Sequence, residues 1–150
     1  MERCANILMQ WTGKTSAKII YDSTVDEFTD DGLFNKIQGK PNIALVGFTT
    51  DGDVFGGFYS RAVTKHDKGF YDPNIFAFSF ESHGRCMTPQ RFLVRNGMKD
   101  CACLFPPQRQ QWVCRVRGGW CWWVLPRERG VRLVLYGTCR RGLRESRTRR

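Results

Sequence analysis

The segment from residue 42 to residue 60 constrains the fold more than any other part of the chain. Asn42 to Thr50 is a continuous apolar stretch, which predicts a β-strand that is covered on both faces. Asp51-Gly52 then predicts a tight turn, because glycine and aspartate tolerate the positive φ angles of hairpin turns. Asp53 to Ser60 is the returning strand. The segment therefore predicts an antiparallel hairpin whose first strand is buried on both sides.

Two adjacent glycines, Gly56 and Gly57, occupy the middle of the returning strand. Glycine weakens a strand interior, because it has no side chain to pack and loses much conformational entropy on folding. The pair therefore predicts either a β-bulge or the close approach of another part of the chain. Asp51 and Asp53 flank the hairpin turn, and this position favours turn chemistry over a carboxylate pair for acid–base catalysis.

Two helices and a strand are predicted before the hairpin. Residues 3–12 form a short helix and residues 18–22 form a strand. A second helix begins at Thr29 or Asp30, either of which is a good N-cap, and Gly39 ends it. Its apolar face consists of Leu33, Phe34 and Ile37. Further acidic residues crowd the start of this helix, where capping and the helix dipole explain them better than a cation site does.

A turn and two strands are predicted after the hairpin. Asp72-Pro73-Asn74 is typical of a turn, because proline has a fixed φ, the Asp side chain bonds to nearby backbone, and Asn tolerates the left-handed region. Ile75 to Glu81 alternates in a period of two, which predicts a strand. The buried face of this strand consists of Phe76, Phe78 and Phe80. Residues 91–95 predict a further short strand.

The sequence predicts no catalytic residue, no metal ligand and no cofactor. His83 and Cys86 are the only pair that suggests nucleophilic catalysis, and neither an orienting third group nor an oxyanion pocket accompanies them. A redox enzyme that uses Cys86 and the thiols of the last fifty residues is a further hypothesis, which requires a lowered thiol pKa. The cysteines near the C-terminus lack the paired spacing of zinc sites. They are Cys101, Cys103, Cys114 and Cys121.

The predicted location is the cytoplasm. No run of residues reaches the length that a membrane span requires, and the apolar patch near the N-terminus is too short for a signal peptide. The seven cysteines are an odd number, which favours reduced thiols over a disulfide framework.

Residues 101–150 differ in composition from the rest of the chain. They contain twelve Arg, two Glu and no Lys, whereas the first hundred residues carry equal numbers of acidic and basic side chains. The entire net charge of +10 therefore lies in the last fifty residues, together with four of the five Trp. Cations neutralise phosphates and Trp stacks on bases, so this segment suggests nucleic-acid binding as an alternative function.

The ordered motifs between Tyr21 and Phe80 resemble the TLDc domain family. The resemblance is carried by Ile20-Tyr21-Asp22, by the run NIALVGFTTDGDVFGGFY at 42–59 and by YDPNIFAFSF at 71–80. It covers about residues 15–100. The positions that match the family pattern are Gly47, Gly52, Phe55, Gly56, Gly57, Asp72, Pro73, Asn74, Phe76 and Phe78.

The resemblance implies an α+β fold in which an antiparallel β-sandwich is flanked by helices. It implies no active site and therefore a non-enzymatic protein. Members of the family are linked to oxidative-stress resistance and to binding of the vacuolar proton pump (V-ATPase), so a V-ATPase subunit is the implied partner. The implied organisation is a short helical segment at 1–14, the N-terminal portion of a TLDc domain at 15–100 and an anomalous tail at 101–150.

The genetic code offers an explanation for the unusual composition of the tail, residues 101–150. The Trp codon is TGG, so a frame that begins one base later starts the next codon with GG, which encodes glycine. The four Trp of the tail therefore become four glycines in the shifted frame, which can also spell the Gly-Phe-Tyr-Leu-Gly-Asn-Glu strand of TLDc domains. We interpret residues 101–150 as out-of-frame, poorly ordered sequence that follows a frameshift near Lys99–Asp100. The domain is then incomplete at its C-terminal end, and we expect its aromatic strands to be partly uncovered.

Overall fold

The computed structural model describes residues 2–27, 29–65 and 70–94, together with the backbone of residues 102–104, 114–116, 120–122 and 131–139. These residues contain two helices, α1 (Glu2–Thr12) and α2 (Asp30–Ile37). The strands are β1 (Lys14–Asp22), β2 (Ile43–Phe48), β3 (Val54–Tyr59), β4 (Phe76–Glu81), β5 (Gln90–Leu93), β6 (Ala102–Leu104), β7 (Cys114–Val116), β8 (Trp120–Trp122) and β9 (Val131–Cys139).

The main sheet has six antiparallel strands in the order β1-β9-β2-β3-β4-β5. A separate sheet has three antiparallel strands in the order β6-β7-β8. Helices together with antiparallel sheets make the fold α+β, which confirms the predicted class. No helix in the described part of the chain is both long enough and apolar enough to cross a membrane.

The hairpin of β2 and β3 lies near the centre of the main sheet. Gly52 at its turn has a φ of 89°, in the left-handed region that glycine adopts without steric cost. Ile43 of β2 packs into one hydrophobic cluster, whereas Ala44 and Val46 pack into another. Successive strand residues point to opposite faces, so both faces of β2 are covered, as predicted.

Helix α1 covers one face of the sheet. Leu8 is buried in a cluster with Phe58, Phe76 and Phe78, and each of these three Phe side chains is less than 5% exposed. Trp11 stacks on Phe80 with ring centroids 5.7 Å apart. The expectation of uncovered aromatic strands was therefore wrong for these three residues, because the apolar side of α1 docks onto them.

Helix α2 packs into the cluster on the other face. Its N-cap is Thr29, whose side-chain oxygen accepts a hydrogen bond from the Gly32 N–H at 3.0 Å, as expected for a capping threonine. The predicted apolar face of α2 is buried, and it packs with side chains from three strands and two loops. This cluster contains Leu33, Phe34 and Ile37 together with Tyr21, Ile43, Tyr59, Val63 and Ile75.

The two glycines of β3 have different surroundings. A Cβ atom on Gly56 would overlap the Leu45 carbonyl oxygen and lie 2.6 Å from Cζ of Phe78. A Cβ on Gly57 would make only ordinary contacts, the nearest of them 3.6 Å from the Tyr59 ring. The predicted close approach therefore occurs at Gly56. The register shift between β3 and β4 lies elsewhere, between Val54 and Phe55.

Strand β9 lies between β1 and β2 and pairs with both. Lys14 of β1 faces Cys139, and Ile43 of β2 faces Leu135. The interpretation of residues 101–150 as poorly ordered, out-of-frame sequence falls largely outside the described residues, and it stays a prediction.

Candidate functional site

Asp72 is the most deeply buried carboxylate among the described residues, with 0% of its surface exposed. One oxygen accepts hydrogen bonds from the Ser60 N–H at 2.7 Å and the Arg61 N–H at 3.3 Å. The other accepts from the Ser60 hydroxyl at 2.5 Å and the Asn74 N–H at 3.0 Å. Asp72 therefore joins the end of β3 to the turn that precedes β4, and its lone pairs are engaged in holding the fold together.

The turn at Asp72-Pro73-Asn74 was predicted from its residue types, and the Asp72 side chain bonds to backbone two residues later as expected. The Asn74 side chain donates to the Ser60 hydroxyl at 3.5 Å. The left-handed non-glycine residues in the described ranges are Asn42 and His83. Asn74 therefore does not use the conformational tolerance that the sequence suggested for it.

A charged cluster lies at the other end of the hairpin. Asp53 accepts a hydrogen bond from Nδ1 of His83 at 2.7 Å and one from a terminal nitrogen of Arg85 at 2.6 Å. The side chain of Asp53 is 15% exposed, whereas those of His83 and Arg85 are 55% and 70% exposed. The three residues, which we call the Asp53 cluster, tie the β4–β5 loop to the hairpin.

The sequence did not indicate the Asp53 cluster, because Asp53 has no charged partner nearby along the chain. His83 is 30 residues away and Arg85 is 32 residues away. The structure brings them together through the pairing of β3 with β4 and a tight loop, in which His83 and Gly84 have φ angles of 49° and 78°. Asp53 therefore belongs to an ion-pair cluster with two residues of the β4–β5 loop.

Asp53 makes stability depend on pH. The hydrogen bond from His83, followed by the one from Arg85, holds the pKa of the Asp53 carboxyl below its usual value of 3.8. A carboxyl whose folded pKa is lowered stabilises the fold fully above its unfolded pKa, and this contribution is lost as the pH falls through the folded pKa. We expect Asp53→Asn to lower the unfolding temperature at about pH 5, with a difference from wild type that shrinks as the pH falls below 3.8 and is lost as the pH passes the lowered pKa of the folded state.

Thermal unfolding followed by circular dichroism across this pH range checks the expectation. Asp51→Asn is the matched control, because it removes a neighbouring carboxylate that pairs with neither His83 nor Arg85. A difference between Asp53→Asn and wild type that stays constant from pH 5 to pH 3 would contradict the proposed role of the ionised carboxylate.

The side chains of His83 and Cys86 share no hydrogen bond in the described part of the chain. Nδ1 of His83 is bonded to Asp53, and the backbone N–H of Cys86 donates to the Ser82 hydroxyl at 2.8 Å. Cys86 is a free cysteine of intermediate burial. The described residues also contain no group of three His, Cys, Asp or Glu side chains placed to hold a metal ion. The five cysteines beyond residue 100 have side chains outside the described residues.

A groove of about 570 Å³ opens at one end of the main sheet, on the face that carries α1. We call it the Trp11 groove. Its aromatic lining consists of Trp11, Phe58 and Phe76, and its polar lining includes Lys14, Ser60, Asn74 and Arg91. The starts of β1, β2 and β4 and the ends of β3 and β5 meet at this end of the sheet. The groove therefore depends on long-range strand pairing, and the sequence did not indicate it.

Arg91 forms one wall of the groove. Its guanidinium lies 5.5 Å from the centre of the Phe76 ring and 6.0 Å from that of Trp11, distances at which a cation is attracted to an aromatic face. It also donates to the Trp11 carbonyl oxygen at 3.1 Å. These contacts attach the end of α1 to the sheet edge and leave Arg91 with no acidic partner among the described residues.

The residues that match the family pattern fall at distinct places in the fold. Gly47 faces Phe55 across the hairpin, and Gly52 forms its turn. Gly56 and Gly57 lie in β3. Asp72, Pro73 and Asn74 form the turn before β4, which carries Phe76 and Phe78. The structural role that the resemblance implies for these residues stays a prediction.

Comparison with known proteins identifies the family of this chain. A search of curated proteins found no significant similarity. The family model described as the TLDc domain matches residues 1–106. The match includes both helices, strands β1 to β5, the Asp53 cluster and the Trp11 groove. Because it covers more than half of the 150 residues, the chain belongs to the TLDc domain family.

Proposed function

We propose that the chain is a non-enzymatic, cytoplasmic protein-binding domain whose partner is a subunit of the V-ATPase and whose role lies in oxidative-stress resistance. Membership of the TLDc family carries this proposal, because members of the family are linked to these roles. The tail that replaces the end of the domain is expected to weaken or abolish the function in this chain.

The use of the acidic side chains supports a role without catalysis. A general base must reach a substrate proton, yet Asp72 is wholly buried and accepts four hydrogen bonds from the protein. Asp53 is paired with His83 and Arg85. Both carboxylates therefore stabilise the segments that connect the strands.

Binding of the full chain to the purified cytosolic sector of the V-ATPase tests the proposal. The chain is immobilised and the sector is applied at an ionic strength of about 0.15 M, at which long-range attraction to the basic tail is screened. We expect saturable binding that decreases in Gly56→Ala in proportion to the unfolded fraction of that destabilised variant. A folded wild-type chain that shows no binding to the sector would overturn the proposed partner.

Nucleic-acid binding through the tail is the alternative function, favoured by its twelve Arg and four Trp. Charge alone supplies weak, salt-dependent affinity for RNA, so such affinity does not separate the two functions. Sequencing the transcript across codons 95–105 does. A continuous TLDc frame one base away from the encoded frame would refute an evolved nucleic-acid site, whereas its absence would support one.

A further inference from the structure

We propose that the Trp11 groove and the neighbouring edge strand β5 dock an extended acidic segment of a protein partner, which pairs with β5 and places alternating acidic and apolar side chains in the groove. The proposal rests on the proposed protein-binding function and adds the place and chemistry of the contact.

The charge of the groove selects an acidic partner. Lys14 and Arg91 line it, and none of its lining residues in the described ranges is Asp or Glu. Neither cation forms an ion pair with a described carboxylate. These cations belong to the first hundred residues, where acidic and basic side chains are balanced in number. Their convergence at one groove is therefore a local feature of the fold, distinct from the basic tail, and an acidic side chain complements it.

The apolar part of the groove indicates which partner side chains lie beside the acidic ones. Phe58 and Phe76 line the groove but are almost fully buried, whereas Trp11 is only partly buried and offers the accessible aromatic surface. Leu93 lies at its border with 68% of its surface exposed. Covering a large exposed apolar side chain with another apolar group removes its surface from water and lowers the free energy. We therefore infer that the partner places an apolar or aromatic side chain at this point.

The position of β5 favours an extended segment over a small ligand. β5 pairs with β4 on one side and is the last strand of the main sheet as described, so its other side offers backbone N–H and C=O groups to an added strand. Arg91 and Leu93 are two residues apart and therefore point to the same face. A paired strand that carries an acidic residue opposite Arg91 and an apolar residue opposite Leu93 satisfies both side chains.

A labelled peptide provides the test. The probe is a fluorescein-labelled, end-capped peptide of sequence SETFTES, which places both Glu and the Phe on one face of a strand. The matched peptide ESETSFT has the same composition but places the Phe on the face opposite the Glu residues. Fluorescence anisotropy measures the affinity of each peptide for the full 150-residue chain at an ionic strength of about 0.15 M, and thermal unfolding verifies that each protein variant is folded.

Four variants locate the binding site. We expect Arg91→Glu to weaken SETFTES binding at least about tenfold, since repulsion replaces attraction, and Lys14→Glu to weaken it about threefold. Leu93→Asp is expected to weaken it as strongly as Arg91→Glu, and it remains informative if Arg91→Glu fails to fold, because Leu93 is exposed. Lys65→Glu is the matched control, because Lys65 is exposed and lies outside the groove.

Equal affinity in all four variants, or equal affinity for the two peptides, would overturn the groove proposal, because binding would then come from the basic tail. Binding of benzoate that is sensitive to Arg91→Glu, in the absence of SETFTES binding, would overturn it in favour of a small anion.

Groove-dependent binding of SETFTES with no V-ATPase binding would support the docking site while refuting the proposed partner. V-ATPase binding with no peptide binding would retain the partner and refute the docking site.

Discussion

Gly56→Ala is expected to lower the free energy of unfolding by more than about 3 kcal/mol. The added methyl group would overlap the carbonyl oxygen of Leu45 and approach Cζ of Phe78 to 2.6 Å. Leu45 lies on the paired strand β2 and Phe78 on the paired strand β4, so the strand cannot move away from one contact without worsening another. Domains of this size have total stabilities of about 5–15 kcal/mol, so the substitution removes a large share of the stability.

Urea unfolding followed by circular dichroism measures the effect as a lower midpoint at an unchanged slope. Gly57→Ala is the matched control, because it adds the same methyl group one residue later, where the nearest atom would be 3.6 Å away. We expect Gly57→Ala to change the free energy of unfolding by less than about 1 kcal/mol. Equal midpoints for the two variants would contradict the strand geometry around Gly56.

Asp72→Ala is expected to cost about 3–5 kcal/mol of unfolding free energy. The substitution leaves the N–H groups of Ser60, Arg61 and Asn74 without their acceptor. A buried donor with no acceptor costs about 1–3 kcal/mol. The connection between β3 and the turn before β4 would be lost, and the Trp11 groove would lose the alignment of its Ser60 and Asn74 walls.

Ser60→Ala provides the comparison for Asp72→Ala in the same urea experiment. It removes only the hydroxyl that donates to Asp72, whereas the backbone bonds remain, so we expect a loss of about 1–2 kcal/mol. Asp72→Asn retains the shape but places an amide donor among N–H donors, and its expected loss is intermediate. An Asp72→Ala loss no larger than that of Ser60→Ala would refute the role of the buried carboxylate.

Local sequence rules predicted several elements at the correct place. The two-face burial of β2 follows from its unbroken apolar run, and the Gly52 turn follows from the φ angle that such turns need. The Thr29 cap follows from hydrogen bonding within three residues. The β1 strand begins at Lys14, four residues before its predicted start at residue 18, because its early residues pair with β9 and strand boundaries depend on the partner.

The candidate sites were harder to predict. The sequence drew attention to His83 only together with Cys86, because the bond of His83 to Asp53 requires the pairing of β3 with β4, which the sequence does not specify. The burial of Phe58, Phe76 and Phe78 was underestimated, because the alternation of a strand shows which face is apolar but not what covers it. No sequence pattern marked Lys14 or Arg91 as a site residue. They lie 77 positions apart, in the two edge strands β1 and β5, and only the fold brings them to the same groove.

The amino-acid sequence by itself determined the helices and strands of the first hundred residues, the turn types and the family, because each depends on the order of residues over short distances. The tertiary structure alone decided which side chains meet: Asp72 with Ser60, Asp53 with His83 and Arg85, and Arg91 with Trp11. The physical reason is that capping, turns and periodicity act through backbone geometry within a few residues. Contacts across 11 to 80 residues exist only after the strands have paired and α1 has docked.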